Sequence, residues 1–131
     1  MTPAEAKVLI IDDDAALRRL IRRILTAAGH PVVEARDGAD GMRRFAAEAP
    51  ALVITDIIMP DQEGMRTILD IRAAGSRVGV IAMSGGGVGR AQDYLDMAVD
   101  LGADAALRKP FRPDELLDLV TRLLAASTDG E

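Results

Sequence analysis

The sequence predicts an α/β protein in which five parallel strands form one sheet and helices pack on both of its faces. Three observations carry this reading. Short apolar runs alternate five times with stretches whose apolar residues recur at helical spacing. Five such strand–helix units require a parallel, doubly wound sheet, because each crossover helix returns the chain to the same end. Two of the runs are continuously apolar, as strands covered on both sides must be.

The elements follow in order. Lys7-Val8-Leu9-Ile10-Ile11 is the first strand. Leu17, Leu20, Ile21, Ile24, Leu25 and Ala28 mark the first helix, with Asp14 as its expected N-cap. Gly29 stands where a helix C-terminus favours glycine. Pro31 to Ala35 is a weaker strand, and a helix follows from about Ala39 to Glu48. Leu52 to Thr55 is the third strand, Met65 to Ala74 the third helix, and Gly75 closes it. Val78 to Met83 is the fourth strand, followed by a Gly85-Gly86-Gly87 loop and a helix from Arg90 to Leu101 that ends at Gly102. Ala105 to Arg108 is the fifth strand. Pro113 then opens a last helix to Ala126, with Leu116, Leu117, Val120, Leu123 and Leu124 as its apolar stripe. The tail from Ser127 to Glu131 is expected to fray.

The chain of 131 residues is read as a single domain over 1–131 with a core of about 7–126. Composition excludes several functions. There is no cysteine, so disulfides, thiolate metal sites and cysteine nucleophiles are ruled out. His30 is the only histidine, which excludes a multi-histidine metal centre; it is expected in an exposed turn. A net charge of −5 argues against direct nucleic-acid contact. No apolar run approaches the ~20 residues of a membrane span, so no membrane insertion is expected. Neither does the N-terminus read as a secretory signal. With the missing cysteines, this favours a cytoplasmic protein. Phe45, Tyr94 and Phe111 are the only aromatics, too few for stacking platforms. Met42, Met65, Met83 and Met97 are expected in the core. Arg18, Arg19, Arg22 and Arg23 give the first helix a basic face, read first as solvated and second as a docking surface for a phosphoryl-donating partner.

Sites in open parallel sheets form beyond the carboxyl ends of the strands. The first strand ends on Asp12-Asp13-Asp14, the third on Asp56, the fourth on Ser84 and the fifth on Lys109-Pro110. Carboxylates, a hydroxyl and an ammonium therefore converge on one edge. Clustered carboxylates repel unless one is protonated or a cation lies among them. Oxygen ligands without cysteine or histidine favour a hard ion, Mg²⁺ or its relative Mn²⁺. A carboxylate beside such an ion and a lysine is a plausible nucleophile toward phosphorus.

Asp12-Asp13, then Asp56-Ile57-Ile58-Met59-Pro60 with Gly64, then Ser84, then Lys109-Pro110-Phe111 resembles the receiver domain of bacterial two-component response regulators. The resemblance covers about Lys7 to Ala126. It implies a flavodoxin-like (βα)5 fold with strand order 2-1-3-4-5. Asp56 would be the phospho-acceptor. Asp13 would bind the metal directly and Asp12 through water, with Asp56 and the main-chain carbonyl of Ile58 completing the metal site. Lys109 would contact the phosphoryl group, Ser84 would rearrange toward it, and the Lys109-Pro110 bond would be cis. The implied partners are a histidine kinase or phosphotransfer protein and a downstream protein target. The chain would be no enzyme beyond catalysing its own phosphorylation and dephosphorylation. It is read as a single-domain response regulator, either a protein that stands alone or a piece of a longer one, that signals by protein contact; the resemblance makes the fourth helix, fifth strand and fifth helix the expected output face.

Two departures from the family pattern matter. Ala106 occupies the fifth-strand position where receivers carry an aromatic, so the usual rotamer switch cannot operate. The Gly85-Gly86-Gly87-Val88-Gly89 loop is the expected substitute route. Ile58 and Gly86 bring no polar side chain to orient a hydrolytic water. Three rival functions share parts of this pattern. A haloacid dehalogenase-like phosphatase shares the Asp-x-Asp of Asp12-Asp13-Asp14 but needs threonine or valine where Ala16 stands, and a longer chain. A flavin-binding module would need hydroxyls and amide donors where this first loop is acidic. A receiver-like binding module that works without phosphorylation would keep the fold alone.

Overall fold

The computed structural model describes residues 6–57, 63–85 and 91–129. Ten elements alternate: β1 (Val8–Ile11), α1 (Ala15–Ala27), β2 (Val32–Ala35), α2 (Gly38–Glu48), β3 (Leu52–Asp56), α3 (Glu63–Ala73), β4 (Gly79–Ser84), α4 (Ala91–Leu101), β5 (Ala105–Arg108) and α5 (Pro113–Asp129). The sheet is parallel with order β2-β1-β3-β4-β5, the doubly wound, flavodoxin-like arrangement expected.

Residue period two divides the core into two layers. Val8 and Ile10 of β1, Leu52 and Ile54 of β3, and Ile81 and Met83 of β4 face Ile21 and Leu25 of α1 and Leu116 and Val120 of α5. Their neighbours Leu9, Ile11, Val53, Val80 and Ala82 face Ile68 and Ile71 of α3 and Leu95 and Ala98 of α4. Met42 and Phe45 of α2 pack against this second layer. Every residue of β1 and β3 is buried, whereas the edge strands β2 and β5 are only partly so. That difference explains why the central strands read as unbroken apolar runs.

The helix ends follow local chemistry. Asp14 caps α1, its side chain accepting from the N–H groups of Ala16 at 3.0 Å and Leu17 at 3.2 Å. At the other end, Gly29 adopts φ +90°, its N–H donates to Thr26 O, and the N–H of His30 donates to Leu25 O. Gly75 and Gly102 close α3 and α4 with the same pair of bonds and positive φ.

Four expectations need correction. α5 runs to Asp129, three residues past the expected end at Ala126, because Ser127 and Thr128 introduce no helix breaker. α3 begins at Glu63, two residues before the expected Met65. Met97 is half exposed, unlike the buried Met65 and Met83, because Leu95 and Ala98 form the inward stripe of α4. His30 is half-buried rather than exposed, its Nδ1 shielded from solvent.

Arg72, near the end of α3, ties three segments together. Its guanidinium donates to Gly102 O (2.8 and 3.0 Å), Ser76 O (3.1 Å), Val78 O (2.8 Å) and Asp104 Oδ2 (2.9 Å). Asp104 Oδ2 also accepts the N–H of Val80 at 2.8 Å, at the start of β4. Only a planar fork serves these acceptors together. Arg72→Lys is therefore expected to lower unfolding free energy by about 2 kcal/mol. A chemical-denaturation midpoint unchanged from wild type would refute this role.

Candidate functional site

Four strand ends deliver the site. β1 runs directly into Asp12, which is fully buried, while Asp13 turns outward into solvent. Asp56 is the last residue of β3 and is 5% exposed. Ser84 ends β4 and is fully buried. Lys109 follows β5, and its bond to Pro110 is cis.

The carboxylates of Asp12, Asp13 and Asp56 each offer an oxygen within 4.8 Å of the others. Lys109 Nζ lies 3.1 Å from Asp12 Oδ2 and 3.5 Å from Asp56 Oδ1. Arg108, the residue before it, is exposed, so of this adjacent pair it is the lysine that meets the carboxylates. Asp12 Oδ1 accepts the N–H of Asp14 at 2.8 Å, which curls the acidic loop back over β1. Burial pushes the Asp12 carboxyl above the usual carboxylate range. The Asp14 N–H and the Lys109 ammonium pull it down, Asp13's charge adds to the rise, and burial wins.

Three carboxylates against one ammonium leave a formal charge of −2 in a largely buried cleft. Charge and donor set together fit a divalent hard cation: all donors are oxygens and two of them are withdrawn from water. Asp12, Asp13 and Asp56 are the side chains that can hold it. The expected main-chain ligand, Ile58, lies outside the described residues, as do Met59, Pro60 and the Gly86–Gly89 part of the glycine loop. Ser84 Oγ is buried and meets no hydrogen-bond partner among the described residues, leaving a donor beside the cleft.

Two glycines shape the cleft. A Cβ on Gly64 would stand 2.0 Å from Asp56 O and 2.5 Å from Ile57 Cα, so α3 docks against the end of β3 only because Gly64 is bare. A Cβ on Gly85 would collide with the Lys109 stem.

Arg18 supports the site from α1, a role its place on a basic helix face does not reveal. Arg18 donates to the main-chain O of Asp12 at 2.6 Å and to Glu34 Oε1 at 3.2 Å. Arg22 donates to Glu34 Oε2 at 2.8 Å. Burial raises the Glu34 carboxyl, yet these two arginines outweigh it and hold the group below its usual range. Half of the basic face of α1 is thus committed internally, and Arg19 and Arg23 remain exposed. The signal was an arginine one turn into the helix that follows the acidic loop. Ala106 lies exposed on β5.

A family model described as the response regulator receiver domain matches residues 8–121. Response regulator MprA of Mycolicibacterium vanbaalenii is 32% identical over 128 residues, covering 95% of this chain and 53% of that protein. The chain spans about half the length of the curated relatives it matches. A response regulator receiver domain protein from Clostridium thermocellum superposes with a TM-score of 0.88 at 28% identity, covering 96% of this chain and 99% of that one. The receiver domain of NtrX from Brucella abortus gives 0.83 at 28% identity, covering 90% and 98%.

Proposed function

Because the chain belongs to the response regulator receiver domain family of two-component systems, we propose that it is a phosphorylation-controlled switch whose acceptor is Asp56. The observation that carries this is the buried Asp56 carboxylate, held 3.5 Å from Lys109 Nζ within the Asp12–Asp13–Asp56 cluster. An Asp56 carboxylate oxygen attacks phosphorus of a phosphohistidine. A P–O bond forms, the P–N bond breaks, and the histidine nitrogen leaves with the bonding pair and takes up a proton. The product is an acyl phosphate on Asp56.

The chain's own groups have distinct tasks. Asp12 and Asp13, with Asp56, hold Mg²⁺, for which Mn²⁺ can substitute. Bound there, the ion supplies charge neutralisation to the transferring group. Arg18, clamped by Glu34, steadies the main chain from which both acidic ligands project. Lys109 leaves its contact with Asp12 to meet a phosphoryl oxygen, and Ser84 donates its hydroxyl to another. The phosphoryl group thereby favours one of two pre-existing conformations. A histidine kinase or phosphotransfer protein would supply the group, and a protein target would read the result. The acidic net charge supports protein contact rather than direct nucleic-acid contact by this domain. Among the described residues no helix is long and apolar enough to cross a membrane. We place the reaction in the cytoplasm on the reading of a kinase-coupled receiver.

Calorimetric melting with Mg²⁺ and then beryllofluoride, which mimics a phosphoryl group on a carboxylate, tests the proposal. Mg²⁺ at one hundred times its dissociation constant is expected to add about 2.7 kcal/mol of stability. Beryllofluoride should add more, and Asp13→Asn should abolish most of both effects. A melting temperature blind to both additions would replace this reading with a binding module that needs no phosphorylation.

A further inference from the structure

Asp12 is held at each of its polar groups. Its N–H donates to Ala35 O at 3.1 Å, its Oδ1 accepts the N–H of Asp14 at 2.8 Å, and its Oδ2 accepts Lys109 Nζ at 3.1 Å. Its main-chain O accepts Arg18 Nη1 at 2.6 Å. β2 therefore grips Asp12 twice, directly through Ala35 and indirectly through Glu34. Glu34 Oε1 accepts Arg18 Nε at 3.2 Å, and its Oε2 accepts Arg22 Nη1 at 2.8 Å. The side chains of Arg18 and Glu34 are both mostly shielded from solvent. Asp12 O and Asp13 N belong to one rigid peptide plane. A donor fixed on that oxygen therefore fixes the direction in which Asp13 leaves β1. Charge alone would not favour a guanidinium beside a bound cation. Arg18 is the fourth residue of α1, near a helix N-terminus, which disfavours cations. It also stands next to Asp12, Asp13 and Asp56, where it repels any cation they hold.

We propose that Arg18 and Glu34 are positioning residues for a divalent cation: Glu34 holds the guanidinium on the Asp12 carbonyl, and the gain in ligand placement outweighs the repulsion between guanidinium and cation. The inference rests on the reading of Asp12, Asp13 and Asp56 as the cation's ligands. It goes beyond that reading in the sign it assigns, since a fixed positive side chain strengthens a neighbouring site for a positive ion. Glu34 acts only through Arg18, and neither residue is a ligand.

Titration calorimetry with Mg²⁺ separates placement from charge, because the two predict opposite signs. Arg18→Met removes a positive charge and should tighten Mg²⁺ binding if charge alone matters. Loss of placement should instead raise the dissociation constant by about 10-fold. An unchanged or lower constant would overturn the proposal. A merely structural arginine would lower the melting temperature in chelator and leave the constant of the folded protein unmoved. Arg19→Met is the control: it removes the same charge from an exposed position on the same helix and should stay within about 2-fold of wild type. Glu34→Asp keeps the charge but withdraws the carboxylate by one methylene, and it should weaken Mg²⁺ binding by about 3-fold or more. This milder variant decides the matter should Arg18→Met fail to fold, and wild-type affinity in it would overturn the part assigned to Glu34. A readout without metal is the Asp13 amide nitrogen resonance, which should shift in Arg18→Met because the carbonyl bonded to that nitrogen loses its donor. An unmoved resonance would show the bond to be absent and would overturn the proposal. Wild-type protein that binds no Mg²⁺ would sink the cation-site reading itself, and this proposal with it. Normal Mg²⁺ binding by Arg18→Met would sink this proposal alone.

Discussion

Gly64→Ala is expected to lower the unfolding free energy by about 3 kcal/mol or more, although it adds only a methyl group. The reason is what that group would meet. Its Cβ would lie 2.0 Å from Asp56 O, 2.9 Å from Asp56 C and 2.5 Å from Ile57 Cα. All three are backbone atoms at the end of a fully buried strand, so no rotamer change relieves the clash. Either α3 retreats from β3, opening the layer that contains Ile68 and Ile71, or the Asp56 peptide tilts. The first loses core contact and the second displaces the proposed acceptor. A melting temperature about 10 °C below wild type is expected. Gly41→Ala is the control. Its added Cβ would meet Ile11 Cδ1 at 2.5 Å, the far end of a side chain, and helix propensity favours alanine by up to about 1 kcal/mol. Its net effect should stay within about 1 kcal/mol. If both variants melt together with wild type, the tight docking of α3 on Asp56 is wrong.

Lys109→Met should have the second largest effect, and it should depend on both metal and pH. The lysine is the ammonium that ion-pairs with Asp12 and Asp56. Removing one partner from a buried ionic group typically costs about 3–5 kcal/mol. Lys109 keeps 21% side-chain exposure, so about 2–4 kcal/mol is expected at pH 7 in chelator. Mg²⁺ should restore part of this by neutralising the same carboxylates. The pH direction follows from Asp12. Burial raises its carboxyl above the ordinary value of 3.8, and the lysine is one of the influences holding it down. Without the lysine it rises further. A raised carboxyl binds its proton more tightly in the folded state, so its stability contribution is complete below the unfolded value. That contribution is lost as pH rises through the folded value. The deficit of Lys109→Met should therefore be small near pH 4 and widen toward pH 7. A deficit that is constant with pH, or indifferent to Mg²⁺, would show that the lysine packs without compensating charge.

Much of this architecture was legible in the chain. The apolar runs at β1 and β3 announced central strands, because both faces of those strands are covered. Gly29, Gly75 and Gly102 announced helix ends, because each takes a positive φ that other residues avoid. The strand-end rule brings Asp12, Asp13, Asp56, Ser84 and Lys109 to one edge from the sequence alone, since it depends only on strand direction.

What stayed hidden depends on distance in sequence or on fine packing. Nothing local relates Arg72 to Gly102 and Asp104. Arg18 and Arg22 read as solvated charge, because Glu34 meets them only once β2 lies beside β1. Gly64 was visible as part of a motif, but its role appears only when α3 meets β3. Gly85 read as one member of a flexible glycine loop, and its close approach to the Lys109 stem appears only once β4 lies beside β5. Met97 read as core because apolar periodicity does not mark which side of α4 faces the sheet.

The most direct test of the phospho-acceptor account is intact mass after incubation with acetyl phosphate and Mg²⁺, with Asp56→Asn and a chelator sample alongside. The account predicts the mass of one added phosphoryl group in the wild type, and none in Asp56→Asn or in the chelator sample. Equal modification of Asp56→Asn would contradict it, as would a wild type that gains no mass and binds no beryllofluoride.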